Sequence, residues 1–320
     1  MTGEAMAVDI PNYRVIQKLG TGAQSRIFRA RNMRNGKDYT VKIVKVVKPE
    51  DAGFVELLRA EYAIGTSVDH PVIRKVYELR MMRHRLRVRG AILFMEYVDG
   101  VSMGDKEFQY PLPDVLRFFG MVAEGLQAMH LSGYVHADLK PTNILVTPDE
   151  RVKLIDLGQS ARIHEAKTRV QGTIDYMAPE QVQRGVLDER TDVFGLGGTL
   201  HKVLTGKAIA TDMNQTISMH SQSLVGRRLE EIRDSVMHEL PTCVSRLIND
   251  CCQANPYDRL PDMAAVIRRI ELARTILAKR SGDADEDTEK RLEDEALLGD
   301  GDATATDATD TLDDAMDRGE

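Results

Sequence analysis

A polar loop leads into a short apolar run at Tyr134-Val135-His136-Ala137-Asp138-Leu139-Lys140-Pro141-Thr142-Asn143-Ile144-Leu145-Val146. Within six residues it supplies an acid (Asp138), a base (Lys140) and an amide (Asn143). The run at 144–146 is short, apolar and rich in β-branched residues, which predicts a strand. Three groups that can position reactants and hold a cation are therefore expected side by side, immediately before that strand.

Other polar positions are spaced around this loop. Asp156 follows Asn143 by thirteen residues, in Ile155-Asp156-Leu157-Gly158, and the triplet Ala178-Pro179-Glu180 ends a further 24 residues on. Upstream, Gly20 and Gly22 lie in a turn between two predicted strands, where glycine lets the backbone approach a phosphate. Taken alone, that turn is more consistent with an ordinary hairpin than with a phosphate-binding loop.

Lys42 lies among apolar residues in a predicted strand, 22 residues after Gly20. A charge in such surroundings needs a partner or a ligand. Glu61, 19 residues further along on a predicted helix, could supply that partner. The alternative is that both side chains are simply solvated.

The chain changes character near Tyr97. Before it, the pattern predicts strands at 13–19, 24–30 and 38–46, a helix at 55–67, and a strand pair at 76–89 and 91–97 joined at Gly90. After it, amphipathic helices are predicted at 114–131, 190–204, 244–252 and 263–279, with short strands at 144–146 and 152–155. We therefore expect an α+β fold with two lobes, a small antiparallel sheet with one helix followed by a larger helical lobe.

This ordered set resembles the catalytic domain of eukaryotic-type (Hanks-type) serine/threonine protein kinases. The resemblance runs from Tyr13 to Lys279 and implies three segments: an N-terminal extension at 1–12, a kinase domain at 13–280 with lobes at 13–97 and 98–280, and a tail at 281–320. It implies transfer of the γ-phosphoryl group of ATP to Ser or Thr hydroxyls of protein substrates. The cofactors it implies are ATP and Mg²⁺, with Mn²⁺ as an alternative cation.

The resemblance also implies a role for individual residues. Asp138 would act as catalytic base, Lys140 would stabilise the transferring phosphoryl group, and Thr173 would bridge the two. Lys42 would contact the phosphates, held by Glu61, while Asn143 and Asp156 would bind the metal. The remaining residues expected to contact ATP are Leu19, Gly20, Thr21, Gly22, Ala23, Gln24, Ser25, Ile27, Thr40, Met95, Glu96, Val98 and Leu145.

Two supporting contacts follow from the same resemblance. Asp192 would hold the catalytic loop from a buried helix, and Arg259 would pair with Glu180.

Four positions depart from the family pattern. Ser25 stands in place of a third loop glycine, and Leu157 in place of a phenylalanine. Ala137 replaces an arginine that reads activation-loop phosphates, so activity is expected to depend little on phosphorylation there. Gly65 stands where the family usually has a large apolar residue, and its absence is expected to loosen the helix that carries Glu61.

Charge is distributed unevenly along the chain. Residues 281–320 hold 16 acidic and three basic residues, a net charge of −13, whereas the first 280 residues carry +6. The tail has no aromatic residue, a composition that predicts disorder. Four arginines, Arg83, Arg85, Arg87 and Arg89, alternate along a predicted strand and would share one face. They are interpreted as a solvated edge strand, as a docking site for an acidic partner, or as an intramolecular contact for the tail.

Composition excludes several other classes of protein. Only three cysteines, Cys243, Cys251 and Cys252, occur, with no Cys-x-x-Cys pair, which argues against a disulfide framework or cysteine zinc site and favours a cytoplasmic location. No apolar run approaches the length of a membrane span, so no membrane partner is expected. Nucleic-acid binding is not expected either, because the chain is acidic and the arginines lack interleaved aromatics. The competing functional hypotheses are a kinase-fold scaffold without activity and a small-molecule kinase.

Overall fold

The computed structural model describes residues 10–22, 24–85, 87–166, 172–207, 209 and 240–280. Its first half is a five-stranded antiparallel sheet with spatial order β1-β2-β3-β5-β4. The strands are β1 (Tyr13–Thr21), β2 (Ser25–Asn32), β3 (Asp38–Lys45), β4 (Val76–His84) and β5 (Arg87–Glu96). One α-helix, α1 (Ala52–Ser67), lies between β3 and β4 in the chain.

The apolar alternation of β3 and β5 explains how this sheet packs. Val41, Ile43, Ile92 and Phe94 belong to one buried cluster, whereas their neighbours in sequence belong to another that includes Val55 and Leu58 of α1. Because successive strand side chains point to opposite faces, one face of the sheet is covered by α1. Lys42 and Glu61 are thereby brought together from β3 and α1.

The predicted connection between the last two strands at Gly90 is wrong. The chain turns instead at Arg85, whose φ of 53° is left-handed, and Gly90 lies inside β5 opposite Met82. Gly90 has a φ of 153°, and a Cβ there would lie 2.3 Å from the Val44 carbonyl oxygen, so this position requires glycine. Gly90 marks an irregularity within a strand. In the sequence, such a glycine cannot be told apart from a glycine in a turn.

The prediction that four arginines share one strand is wrong for the same reason. Arg83 lies on β4, Arg85 in the turn, and Arg87 and Arg89 on β5, so they surround the tip of a hairpin. Leu86, between them, lies outside the described residues. The acidic tail also lies outside them, so its disorder and its contact with these arginines stay predictions.

The second half is mainly helical. Its helices are α2 (Leu112–Leu131), α3 (Pro179–Val182), α4 (Glu189–Thr205), α5 (Thr242–Cys251) and α6 (Met263–Arg280). Short strands β6 (Val101–Ser102), β8 (Ile144–Val146) and β9 (Val152–Leu154) form one small sheet, and β7 (Tyr134–Val135) pairs with β10 (Ala161–Arg162). The two-lobed α+β fold is confirmed, with strands β6, β7 and β10 and helix α3 added to the prediction.

Two compact units divide the chain, residues 1–274 and 275–320, and the described part of the second is the end of α6. The three cysteines are buried, and no disulfide joins any two of them. None of the described helices is long and apolar enough to cross a membrane.

Candidate active site

A cleft of about 550 Å³ opens where the chain passes from β5 toward α2. Ten of the predicted site residues line it: Leu19, Gly20, Thr21, Ile27, Thr40, Lys42, Val98, Asn143, Leu145 and Asp156. Lys140, from the predicted catalytic group, lines it as well. The cleft therefore gathers an apolar set suited to a planar ring and a charged set suited to phosphate and a cation.

Lys42 makes the central ion pair of the cleft. Its Nζ lies 2.7 Å from Glu61 Oε2 and 3.4 Å from Asp156 Oδ1. The interaction that the sequence suggested between the strand lysine and the helix glutamate is present. Lys42 thus links three parts of the fold, strand β3, helix α1 and the loop after β9.

Burial and charge act against each other on these groups. Burial disfavours the ammonium group, but the Glu61 and Asp156 carboxylates outweigh it and raise the pKa of Lys42. Burial raises the pKa of Glu61, although Lys42 opposes that effect. Burial also disfavours the charge of Asp156, yet Lys42, Arg74 and the Gly158 N–H bring its pKa down to about 2. Asp156 is therefore an anion throughout the physiological range.

Asp138 lies in a second cluster at the same cleft. Its Oδ1 accepts a hydrogen bond from the Thr173 N–H at 2.7 Å, and its Oδ2 accepts one from Lys140 Nζ at 2.8 Å. Lys140 Nζ also donates to Thr173 Oγ1 at 2.8 Å. These bonds fix the Asp138 carboxylate and bring Asp138, Lys140 and Thr173 into contact from two distant parts of the sequence.

Asn143 is held by the catalytic loop. Its Nδ2 donates to the Asp138 carbonyl at 2.9 Å, which leaves Oδ1 as the side-chain atom free to bind a cation. No cluster of three or more His, Cys, Asp or Glu side chains suited to a metal occurs in the described part of the chain. An amide oxygen and one ionised carboxylate fit Mg²⁺, which takes its other ligands from water and phosphates.

Asp192 supports the catalytic loop from helix α4. Its carboxylate accepts hydrogen bonds from the main-chain N–H groups of His136 and Ala137, at 2.7 and 2.8 Å, and lies 2.8 Å from His130 Nε2. These bonds lower the pKa of Asp192 although burial works against them. Ala137 has a left-handed φ of 58°, which this anchoring holds in place.

Gln181 is a supporting residue that the sequence analysis missed. It is buried on α3, its Nε2 donates to the Ala137 carbonyl at 2.8 Å, and its Oε1 accepts from the Ala178 N–H. Its neighbour Glu180 makes a two-pronged ion pair with Arg259, with both distances at 2.8 Å, as expected. The position of Gln181 directly after Ala178-Pro179-Glu180 was the signal that could have revealed it.

Several predicted ATP-contacting residues do not line the cleft. Met95 is 1% exposed and packs in the core beside α1, while Glu96 uses its N–H on the Lys75 carbonyl and its side chain on Lys153. Only the Glu96 carbonyl could therefore meet an adenine edge. Three predicted residues of the glycine loop, Gly22, Gln24 and Ser25, do not line the cleft. A fourth, Ala23, lies outside the described residues.

The expected loosening around Gly65 is not seen. A Cβ on Gly65 would lie 2.3 Å from Val76 Cγ2 and 3.5 Å from Leu157 Cδ1. Val76 of β4 therefore occupies the space that a larger side chain on α1 would fill. Helix α1 and strand β4 approach closely at this point, which keeps Glu61 within reach of Lys42.

Six further residues line the cleft without having been predicted: Arg74, Tyr97, Gly100, Asp105, Thr142 and Ile155. Two of the six are charged, Asp105 and Arg74, and only Arg74 is buried, with 9% of its surface exposed.

Comparison with known proteins agrees with this geometry. The chain is 29% identical over 272 residues to serine/threonine-protein kinase PknB of Mycobacterium tuberculosis, covering 82% of this chain and 42% of that protein. It is also 29% identical over 255 residues to serine/threonine-protein kinase PknA of the same organism, covering 77% of this chain and 58% of that protein. The chain thus spans about half the length of these relatives. The family model for the protein kinase domain matches residues 13–269, and the chain therefore belongs to the protein kinase domain family.

Proposed function

We propose that this chain is a serine/threonine protein kinase that transfers the γ-phosphoryl group of ATP to hydroxyls of protein substrates. The observation that carries the proposal is the set of hydrogen bonds joining Asp138, Lys140 and Thr173 at the cleft that also holds Lys42 and Asp156. Phosphoryl transfer depends on positioning and on neutralising charge, and this cleft provides groups for both.

Asp138 is the residue suited to receive the substrate hydroxyl. Oδ2 accepts from Lys140 and, at 3.4 Å, from Asn143 Nδ2, whereas Oδ1 has a second lone pair beyond its bond to the Thr173 N–H and can accept the hydroxyl proton. The proton then moves to Asp138 as the hydroxyl oxygen attacks the γ-phosphorus and the bond to the ADP oxygen breaks. Lys140, already bonded to Asp138, is placed to offset charge on the transferring group.

Lys42 is the group suited to bind the ATP phosphates. Its ion pair with Glu61 fixes the ammonium group at the cleft, so that little reorganisation is needed when phosphate enters. Asn143 and Asp156 would hold Mg²⁺, or Mn²⁺, through the amide oxygen and an ionised carboxylate. The cation would neutralise part of the phosphate charge.

A second cleft supports a protein substrate rather than a small molecule. It has a volume of about 630 Å³ and shares Asp105, Lys140 and Thr142 with the first. Thr173, Asp175 and Tyr176, which precede Ala178, also line it. A chain lying in this second cleft would bring a Ser or Thr hydroxyl to Asp138. A small-molecule kinase would not require such an extended surface.

The proposal is tested by incubating purified protein with γ-labelled ATP, with Mg²⁺ or with a chelator. The acceptors are a Ser/Thr-containing protein, a polymer whose only hydroxyl residue is tyrosine, and a small polyol. Label on Ser and Thr that requires the cation supports the proposal. Label on the polyol alone would indicate a small-molecule kinase, and absence of both ATP binding and transfer would indicate an inactive scaffold. A cytoplasmic location stays a prediction from the sequence.

A further inference from the structure

Arg74 is a buried cation whose role the proposed mechanism leaves open. It lies on the segment between α1 and β4 and lines the first cleft together with Lys42 and Asp156. Nine-tenths of its surface is buried. With the residues that the structure describes, its guanidinium makes no hydrogen bond and no ion pair within 4 Å. A cation that is mostly buried and has no ion-pair partner is costly to keep, and a nearby carboxylate or a bound ligand would offset that cost.

The main chain holds Arg74 in place on both sides. The Arg74 N–H donates to the Leu154 carbonyl at 3.0 Å, and the next carbonyl, of Lys75, accepts from the Glu96 N–H at 2.8 Å. The residue is thereby fixed between strand β9, which leads to Asp156, and the end of β5. These bonds fix the point on the cleft wall from which the Arg74 side chain extends.

The charges of three carboxylates act on this guanidinium. Burial lowers the pKa of Arg74, whereas the charges of Glu61, Asp156 and Glu96 raise it, in that order. Glu96 is already bonded to Lys153, and Asp156 is the proposed cation ligand. Glu61 remains, and its Oε1 is a buried acceptor without a hydrogen-bond donor. Arg74 lines the cleft beside Lys42, which pairs with Glu61 Oε2, so a buried acceptor without a donor and a cation without an ion pair belong to one charge cluster.

We propose that Arg74 is a positioning residue that shares Glu61 with Lys42, by donating a hydrogen bond to Glu61 Oε1 when nucleotide fills the cleft. The inference rests on the proposed function. Glu61 would then be held by two cations, Lys42 on Oε2 and Arg74 on Oε1.

The chemistry of a loaded cleft makes this second partner useful. When phosphates and a cation enter, Lys42 must divide its three N–H donors between Glu61 and phosphate oxygens, and Asp156 turns to the cation. Glu61 would then be a buried carboxylate with a weakened partner, a state that is strongly disfavoured. A guanidinium has five donors and remains charged, so Arg74 can keep Glu61, and with it α1, in position.

The test is a double-mutant cycle on Arg74→Met and Glu61→Gln, with Arg74→Lys as the conservative variant. Arg59→Met, on the same helix as Glu61 but exposed, is the matched control. For each protein, the ATP dissociation constant, kcat and kcat/KM are measured, together with thermal unfolding without nucleotide and with saturating Mg-ATP.

Arg74→Met should lower kcat at least about tenfold, or ~1.4 kcal/mol of barrier, with less than about a threefold change in ATP affinity. In the Glu61→Gln background the same change should alter kcat less than about twofold, because the shared partner is gone. Arg74→Lys should recover part of the loss, and Arg59→Met should behave as the parent protein.

Other outcomes would overturn the inference. Additive effects on kcat would place Arg74 outside the Glu61 interaction. A loss of affinity for ATP but not for adenosine, at unchanged kcat, would assign Arg74 to the phosphates directly. If the parent protein transfers no phosphoryl group, the proposed function fails. The unfolding midpoints measured with bound Mg-ATP then still decide on Arg74: non-additive shifts support the pairing with Glu61, and additive shifts exclude it.

Discussion

Asp138 and Asp156 are both acidic residues of one cleft, but the surrounding atoms give them different tasks. Asp138 is fixed by the Thr173 N–H and by Lys140, two donors from the part of the site where a hydroxyl would enter. Asp156 faces Lys42 and Arg74, which keep it ionised. Loss of either charge should therefore stop the same reaction by different routes.

We expect Asp138→Asn and Asp156→Asn each to reduce phosphoryl transfer by far more than tenfold, a barrier increase above about 1.4 kcal/mol. Asp138→Asn should bind Mg-ATP nearly as well as the parent protein, because it leaves the phosphates and cation untouched. Asp156→Asn should weaken Mg-ATP binding through loss of the cation ligand. Calorimetric titration and a turnover assay on the same preparations check both statements, and activity within tenfold of the parent for either variant would contradict the assigned role.

Helices α1 and α4 each hold part of the site from outside the cleft. Helix α1 carries Glu61 and approaches β4 at Gly65, where Val76 fills the contact. Helix α4 carries Asp192, which binds two main-chain N–H groups of the catalytic loop. Substitutions at these two contacts should therefore act on the stability and placement of whole elements.

Gly65→Ala should destabilise the fold by about 1–3 kcal/mol, because the new methyl group overlaps Val76. In a Val76→Ala background the same substitution should cost clearly less, since the overlap with Cγ2 at 2.3 Å is gone and only the Cβ at 3.0 Å remains, while alanine favours helix by up to about 1 kcal/mol. Gly53→Ala on the same helix is the control, because no atom lies within 4 Å of its added Cβ. Urea unfolding of the five proteins measures these differences, and equal effects of Gly65→Ala in both backgrounds would refute the contact.

Asp192→Asn should lower the free energy of unfolding by about 3 kcal/mol near neutral pH, because it removes a buried charge from three hydrogen-bond partners. The folded-state pKa of Asp192 is lowered, so its stabilisation is present above the unfolded value near ~3.9 and is lost as pH falls through the folded value. The difference in unfolding free energy between parent and variant should therefore stay constant from about pH 8 to pH 5 and become smaller below about pH 4.

Unfolding by guanidinium chloride, measured for both proteins across that pH range, checks the prediction. Asp69→Asn, at an exposed side chain, is the control and should change stability by less than about 0.5 kcal/mol. A gap that widens in acid would contradict the assignment of Asp192 as a buried anion.

Patterns along the sequence predicted most of these elements, because helix and strand periods depend on local apolar spacing. The helix at 55–67 and the strands at 144–146 and 152–155 are found within a few residues of the structure. The hairpin at Arg85 was missed because Gly90 gave a stronger turn signal. Gly65 was misjudged because the side chain that compensates for it, Val76, lies eleven residues away. Arg74 acts through residues distant in sequence, which no local pattern reveals, whereas the place of Gln181 directly after Ala178-Pro179-Glu180 was a local signal.

At the scale of the molecule, residues from both halves of the chain form one site. Side chains, rather than a phosphate group, make the described contacts that hold its catalytic loop. Ala137 carries no charge to read a phosphate, and its carbonyl is held instead by buried Gln181. Of the hydroxyl residues after Asp156, Ser160 and Thr173 bond to the catalytic loop, at His136 and Lys140. Thr168 lies outside the described residues.

Turnover should therefore remain within about threefold of the parent in Thr168→Ala and after phosphatase treatment. Position 137 is alanine and has no guanidinium group to bind an activation-loop phosphate. Gln181→Ala, in contrast, should lower activity, because it frees the Ala137 carbonyl. Initial rates on dephosphorylated protein, with phosphate content checked by mass spectrometry, measure both. Abolished turnover in Thr168→Ala would show that the loop is switched by phosphorylation after all.

The buried guanidinium of Arg74 also bears on inhibitor chemistry. A compound that occupies the adenine position and extends an apolar ring past Lys42 would have to strip water from a permanent cation, which weakens binding. A compound carrying a carboxylate or tetrazole at the same point would gain a charge-assisted, two-pronged contact. An acidic extension should therefore give selectivity for this chain over kinases that have an apolar side chain at the equivalent point. A screen for such inhibitors would compare compounds with acidic extensions against compounds with apolar ones.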